Sequence, residues 1–136
     1  MKNLSRISFV IVSCLFLSAC FGRIQPLYTV SKHKIPTSAQ ILYESEISDV
    51  IHQAGIKRRW VMDEVETGVI VATQKVKSHL AVVEIEYTQS AYSIRYVESS
   101  DLLYNGSTIH RTYNRWVKNL ERDIEMGLQT AALQAR

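Results

Sequence analysis

Hydrophobic and polar residues alternate in four short runs in the middle of the chain, which is the period of β-strands with one buried face. The runs span residues 60–65, 69–76, 79–88 and 91–98. Only two or three residues separate each run from the next, and connections this short join antiparallel strands. The pattern therefore predicts successive antiparallel hairpins.

The register of these hairpins follows if the dipeptides Lys77-Ser78 and Gln89-Ser90 are two-residue turns. The apolar positions then face one another as Tyr87–Tyr92, Ile85–Ile94, Val83–Tyr96, Ile70–Ile85 and Ala72–Val83. On the opposite face Glu84 lies across from Arg95, a pair of opposite charges that favours the same register. Because a slip of one residue would mix the two faces, we predict a four-stranded antiparallel meander with one buried face.

Apolar residues recur at helical spacing before and after the strands. The first stripe consists of Ile47, Val50, Ile51 and Ala54, and the second of Ile109, Tyr113, Trp116, Leu120 and Ile124. We expect Ser45 to cap the first helix and Gly55 to end it. Ser107 or Thr108 is expected to cap the second helix, and Gly127 either ends it or lies within it. Two helices on one face of this sheet make an α+β two-layer sandwich in the order α-β-β-β-β-α.

The sheet face opposite the helices also carries apolar side chains among its charged ones. We call this set the outer strip; it consists of Val69, Val71, Leu80, Val82 and Val97. An exposed apolar strip can mark a surface that binds a partner protein. The strand preference of valine, or cover by the N-terminal segment, would also account for the outer strip.

The start of the chain has the composition of an export signal. Lys2 and Arg6 supply positive charge, residues 7–17 form an apolar run, and Ser18-Ala19 supplies small residues before a cleavage point. The apolar run is much shorter than the roughly 20 residues that a membrane-spanning helix needs. A transmembrane anchor is therefore disfavoured, and an ordinary cleaved signal or a lipoprotein signal remains.

The four residues Leu17-Ser18-Ala19-Cys20 resemble the lipobox of bacterial lipoproteins. The resemblance implies that residues 1–19 are removed, that the Cys20 thiol is diacylated and that the new amino group is acylated. In Gram-negative lipoproteins an aspartate after the cysteine resembles an inner-membrane retention signal, whereas this chain has Phe21. The resemblance therefore implies a lipid anchor at the periplasmic face of the outer membrane.

Residues 20–37 contain Gly22, Pro26 and Pro36 and show no helical period. We predict a flexible tether there, with brief pairing of residues 27–30 to a sheet edge, followed by a single α+β domain over residues 38–136. The signal takes two of the 16 Lys and Arg residues with it, so 14 remain against 13 Asp and Glu, a net charge of +1. A balance this close to neutral gives no reason to expect a nucleic-acid partner.

The mature chain carries no recognisable catalytic or metal-binding motif. Its one cysteine, Cys20, would be a thioether, so neither a disulfide nor a thiol nucleophile is expected. The histidines lack zinc-binding spacing, and neither a phosphate-binding glycine loop nor a Gly-x-Ser-x-Gly sequence occurs. We therefore predict a protein that is not an enzyme and that needs no metal or cofactor.

The start of the second helix looks most like a site. The sequence Ile109-His110 followed by Tyr113-Asn114-Arg115-Trp116-Val117 resembles a motif of small, uncharacterised proteobacterial lipoproteins, and the resemblance implies no activity. In one interpretation His110, Asn114 and Arg115 present polar groups to a ligand. In the other, His110 and Asn114 bond the loop over residues 99–104 and lock the helix on the sheet.

Three functional hypotheses fit these features. The first is an outer-membrane-anchored accessory that binds another envelope protein. The second is a carrier or sensor of a small amphiphile held between helices and sheet by Tyr87, Tyr92, Tyr96 and Trp116. The third is a periplasmic immunity-type protein, for which the chain offers only the acidic patch Asp63, Glu64 and Glu66.

Overall fold

The four predicted strands lie side by side in the computed structural model, which describes residues 22–136. In chain order the elements are β1 (Ile24–Pro26), β2 (Val30–Lys34), a 3-10 turn (Thr37–Ala39), α1 (Glu44–Lys57), β3 (Val61–Glu66), β4 (Val69–Val76), β5 (His79–Tyr87), β6 (Ala91–Ser100), β7 (Thr108–His110) and α2 (Arg111–Gln134). Strands β3 to β6 are joined as antiparallel neighbours. The predicted hairpins are therefore confirmed.

The register of this meander is the one that the alternating pattern predicts. The confirmed pairs are Tyr87–Tyr92, Ile85–Ile94, Val83–Tyr96, Glu84–Arg95, Ile70–Ile85 and Ala72–Val83. The pairing shifts between Val82 and Val83, so that Glu98 lies opposite Val82 and Val97 is the extra residue of a β-bulge. Beyond the bulge, Ser99 lies opposite the buried Ala81, so inward-facing residues of β6 again pair with inward-facing residues of β5.

The sheet is larger than predicted. β2 pairs with β6 and extends the sheet to five strands in the order β2-β6-β5-β4-β3, and β1 pairs with β7 in a second sheet of two strands. The α+β class, the two helices and the antiparallel arrangement are confirmed. The four-stranded meander and the order α-β-β-β-β-α are wrong, because two strands precede the first helix and a seventh precedes the second.

Residues 24–37 belong to the folded domain, so the flexible tether predicted over residues 20–37 is wrong for this part. Val30 and Ile35 are buried in the common core. The edge pairing expected for residues 27–30 begins at Val30, which lies opposite Ile94, and continues to Lys34. The sequence conceals these strands because β1 has only three residues and β2 is interrupted by a bulge. The predicted tether residues 20 and 21 lie outside the described part of the chain.

The helix ends differ from the predicted ones. Tyr43, not Ser45, is the N-cap of α1, and its backbone N–H donates to Oε2 of Glu46 at 2.8 Å. The helix passes Gly55 and stops before Arg59, whose φ is +64°. His110, rather than Ser107 or Thr108, caps α2, because its Nδ1 accepts the backbone N–H of Thr112 at 3.2 Å.

Both helices pack on the sheet face that carries Ile70, Val83 and Ile94, and all these residues share one core. Gly127 lies within α2 and lets the helices approach closely, since a Cβ at this position would lie 2.7 Å from Cγ1 of Val50. Because α2 packs on one face of the sheet and the other face is open, the domain has two opposite outer surfaces. One is the exposed side of α2, and the other is the uncovered face of the sheet.

Candidate functional site

The outer strip lies on the uncovered face of the five-stranded sheet. Val97 is 49% exposed at the bulge, and Val69, Val71 and Leu80 are partly exposed. Val82 is only 9% exposed because it lies on a central strand between Thr73 and Glu98. The five predicted residues thus come together on one surface, and their role in binding a partner stays a prediction.

Residues 22–37, the described part of the N-terminal segment, do not cover this surface, so cover by these residues does not account for the outer strip. β2 lies at the edge of the sheet beside β6, and β1 pairs with β7 next to α2. The uncovered face continues onto β3, where Val61 pairs with Thr73 and is 70% exposed. Val61 was not among the predicted members of the outer strip, although its position two residues before Asp63 places it on the same face of the sheet as Val71.

Charged side chains border the outer strip on β5 and β6. Arg95 pairs with Glu84, as predicted, and its guanidinium also lies 2.6 Å from Oε1 of Glu86. These three side chains are exposed or partly exposed. The surface therefore combines apolar side chains from β4, β5 and β6 with an ionic cluster from β5 and β6.

His110 has a structural role at the start of α2. Besides capping the helix, its ring stacks on the ring of His79 with centroids 6.1 Å apart. Burial lowers the pKa of His110 from its ordinary value, and the nearby His79 and Arg111 lower it further. The neutral imidazole is the form that can accept the Thr112 N–H, so the depressed pKa agrees with the capping role.

Asn114 holds the N-terminal segment on α2. Its side chain is buried, and its Nδ2 donates to the carbonyl of Pro26 at 2.8 Å. Among the described residues, neither the His110 nor the Asn114 side chain bonds the loop over residues 99–104; the loop is instead held by the backbone N–H of His110, which donates to the carbonyl of Leu102 at 2.8 Å. The predicted bonds from these two side chains to residues 99–104 are therefore wrong, and Asn114 instead bonds the N-terminal segment.

Arg115 is the exposed member of the predicted trio, and it lies in an open groove of about 630 Å³. The groove is lined by Gln25, Asn114 and Asn119 together with the four exposed cations of α2, which we call the basic face: Arg111, Arg115, Lys118 and Arg122. Within the described part of the chain, no carboxylate lines this groove. Of these four cations only Arg115 was predicted as a site residue, although the spacing i, i+4, i+7 and i+11 places all four on one side of a helix.

The residues proposed for two other functions are held in the structure by internal contacts. In the acidic patch, the Glu64 carboxylate accepts hydrogen bonds from the hydroxyls of Tyr87 at 2.7 Å and Ser48 at 3.1 Å, which lower the pKa of Glu64. Tyr87 and Tyr92 are buried in the core where the amphiphile would lie, and Tyr96 and Trp116 pack against it. These contacts are those of a packed interior.

Residues 22–136 contain neither a membrane-spanning helix nor a cluster of metal ligands. Neither α1 nor α2 combines the length and the apolar composition that a bilayer-crossing helix requires within residues 22–136. Over the same residues, no three His, Cys, Asp or Glu side chains converge as a metal site would require. Comparison with protein-family models, with curated proteins and with solved structures gave no match.

Proposed function

We propose that this protein is a non-enzymatic, lipid-anchored lipoprotein at the periplasmic face of the outer membrane, where it binds another envelope protein as a structural or assembly accessory. The observation that carries the proposal is the outer strip, which no helix or strand within residues 22–136 covers. A membrane-anchored domain with one open, partly apolar sheet face is suited to hold a partner beside the bilayer.

The anchor in this proposal is Cys20, which lies outside the described residues. The described fold begins almost at once after it, because the carbonyl of Arg23 accepts the backbone N–H of Arg111 at 2.7 Å. Three residues of extended chain span only about 10 Å. The domain itself is therefore held close to the lipid surface, which favours a partner that reaches this layer of the periplasm.

The partner surface is tested by photocrosslinking in cells with the full chain carrying a photoreactive residue at Val71. We expect Val97→Arg to fold as the parent protein does and to lose the crosslinked product, because a charge at a binding surface is left unpaired when water is excluded. Leu133→Arg is the matched control, since Leu133 is exposed on α2 on the opposite side of the domain. An undiminished crosslink in Val97→Arg would assign the partner to another surface.

The anchor is tested separately by Cys20→Ser with labelled palmitate and membrane fractionation. We expect the label to be lost and either an uncut precursor or an unacylated protein to appear. Acyl chains contribute about 0.8 kcal/mol per buried methylene, so two or three chains hold a protein on a bilayer very firmly. Unchanged labelling in Cys20→Ser would end the lipoprotein interpretation.

A further inference from the structure

The exposed side of α2 carries charge of one sign. Its most exposed line contains Arg111, Arg115, Lys118 and Arg122, followed by Met126, Gln129 and Leu133. The four cations extend over about 17 Å of helix. Most solvent-facing helices mix both signs of charge, so a line with four cations and no acid calls for a physical reason.

The acids of α2 are directed elsewhere. Glu121 accepts the hydroxyl hydrogen of Tyr28 at 2.5 Å and lies 3.3 Å from Nδ1 of His33. Asp123 is buried and bound by Arg58 at 2.6 Å. Glu125 is partly buried and lies off the exposed line. The basic face is therefore left with little internal compensation.

The ion pairs of residues 22–136 agree with this description. No carboxylate in that range lies within 4.0 Å of a charged nitrogen of Arg111, Arg115 or Lys118. Arg122 reaches Asp123 only at 4.0 Å, and that carboxylate is already occupied by Arg58. Lys118 Nζ lies 4.9 Å from the centre of the Tyr28 ring, a contact that leaves its charge uncompensated.

The basic face begins close to Cys20, the proposed lipid-anchored residue. The face begins at Arg111, whose backbone N–H is bonded to the carbonyl of Arg23, and Arg23 lies only three residues after Cys20. If Cys20 is acylated, the first turn of α2 lies within about 10 Å of the lipid headgroups by chain length alone. Arg23 is itself exposed and adds a further cation at this end of the helix.

We propose that the basic face of α2 docks on the anionic phosphates of phospholipid headgroups, so that the acylated Cys20 and α2 together hold the domain flat on the bilayer. The inference rests on the lipid anchor proposed above. It sets the orientation of the domain, because the outer strip lies on the opposite side of the sheet from α2. Docked in this way, the sheet face points away from the membrane, toward the periplasmic space.

The strength of docking should depend on the four charges and on salt. A Lys or Arg near an anionic membrane favours the bound state by about fivefold each. Because the acyl anchor already holds the domain near the surface, these charges act on an intramolecular equilibrium between docked and undocked domain. Salt screens exposed charges beyond about 10 Å at ordinary ionic strength, so docking should weaken as salt is raised.

The experiment uses the mature acylated protein in phospholipid vesicles. Its acylation is first verified by intact mass. Asn119→Cys supplies a single thiol in the groove for an environment-sensitive dye, and Val97→Cys supplies the matched position on the outer strip. With a third of the lipid as phosphatidylglycerol, the dye at position 119 should report a less aqueous environment than in pure phosphatidylcholine, while the dye at position 97 should not change.

The charges are tested in the same vesicles. Arg115→Gln, Lys118→Gln and Arg122→Gln together should weaken docking by about 100-fold at fivefold per charge, whereas Lys75→Gln on the sheet should have no effect. Acylated protein whose dye at position 119 ignores phosphatidylglycerol would overturn the docking while leaving the anchor intact. Absence of acylation would instead contradict the proposed function. A dye response to inorganic phosphate without vesicles, and none to anionic vesicles, would also overturn docking and assign the face to a small phosphate ligand.

Discussion

Asn114 on α2 binds the backbone of Tyr28, which lies 86 residues earlier in the chain. Its Oδ1 accepts the Tyr28 N–H at 3.0 Å, and its Nδ2 donates to the neighbouring Pro26 carbonyl at 2.8 Å. The Asn114 side chain is only 4% exposed, so water cannot easily replace it. The two contacts lie at the end of β1 and in the link between β1 and β2, which belong to different sheets. The Asn114 side chain thus attaches this link to α2.

Replacing Asn114 should therefore release this segment. Asn114→Leu leaves the Tyr28 N–H and the Pro26 carbonyl without this partner. An unsatisfied buried polar group costs about 1–3 kcal/mol, and we expect the lower end because Tyr28 is only partly buried and Pro26 is exposed. We expect the free energy of unfolding to fall, and the amide of Tyr28 to exchange its hydrogen much faster than in the parent protein. Asn119→Leu, on the same helix, is the control. Equal exchange at Tyr28 in both variants would show that the segment is held by other contacts.

The central hairpins were predictable because two independent constraints agree there. Alternation fixes which side chains face the core, and the two-residue turns fix which residues are opposite each other. Neither constraint exists for β1 and β2. Their pairing partners lie at Ile109 and Ile94, far along the chain, and their proline-containing sequence has no period of its own. The tether prediction was wrong because distant contacts, not local preference, order these residues.

The surfaces show the same division. The outer strip was predictable because strand parity alone places its members, and Val61 was missed because most of its neighbours on β3 are acidic. The basic face was not recognised, although its helical spacing is visible in the sequence. The basic face carries only positive charge because the side chains of Glu121 and Asp123 bind partners elsewhere. Those partners are Tyr28 in the N-terminal segment and Arg58 at the end of α1. Those tertiary pairings cannot be read from one helix.

The ion pair between Arg58 and Asp123 joins the end of α1 to α2. Asp123 is 6% exposed, and the guanidinium binds both of its oxygens, at 2.6 and 3.3 Å. Removing Arg58 leaves the buried Asp123 carboxylate without its countercharge, so we expect Arg58→Met to lower the free energy of unfolding. Equilibrium urea unfolding measures this loss. Arg59→Met, an exposed neighbour, should leave stability nearly unchanged.

The same pair predicts an acid dependence of stability. The hydrogen bond from Arg58 holds the pKa of Asp123 below its ordinary value. A carboxyl with a lower pKa in the folded state stabilises the fold at pH values above its unfolded pKa, and this contribution disappears as the pH falls through the folded pKa. We therefore expect Asp123→Asn to have a lower free energy of unfolding than the parent protein at neutral pH. As the pH falls below about 4, the free energy of unfolding should decrease less in the variant than in the parent. Parallel curves at all pH values would contradict this role.

Gly127 is predicted to be required for close packing of the helices. Glycine within a helix normally costs about 1 kcal/mol relative to alanine, so Gly127→Ala would stabilise an isolated helix. Here the new Cβ would lie 2.7 Å from Cγ1 of Val50, and we expect a lower melting temperature instead. Val50→Ala removes that atom, so the double variant should recover stability relative to Gly127→Ala. Failure of the second change to compensate would show that the contact with Val50 is not the cause.

The hydrogen bond from Tyr28 to Glu121 predicts a loss of stability at alkaline pH. The Tyr28 hydroxyl donates to Oε2 of Glu121 at 2.5 Å. This hydrogen bond is the main cause, and burial the second, that raises the pKa of Tyr28 to about 12. A group whose folded pKa lies above its unfolded value, about 10 for tyrosine, stabilises the fold below the unfolded pKa and loses that contribution as the pH rises through the folded one. The loss should therefore fall between about pH 10 and pH 12.

Tyr28→Phe separates this effect from that of the other tyrosines. Burial also raises the pKa values of Tyr92 and Tyr113, but both the parent and the variant retain these groups. We expect Tyr28→Phe to be less stable than the parent at pH 8 and the difference to shrink toward pH 12, as measured by urea unfolding at each pH. Phenolate absorbance should show equal numbers of tyrosines titrating near the ordinary pKa of about 10 in the folded parent and in folded Tyr28→Phe, because the pKa of Tyr28 in the parent is raised to about 12. A stability difference that stays constant over this range would mean that the hydroxyl does not depend on Glu121.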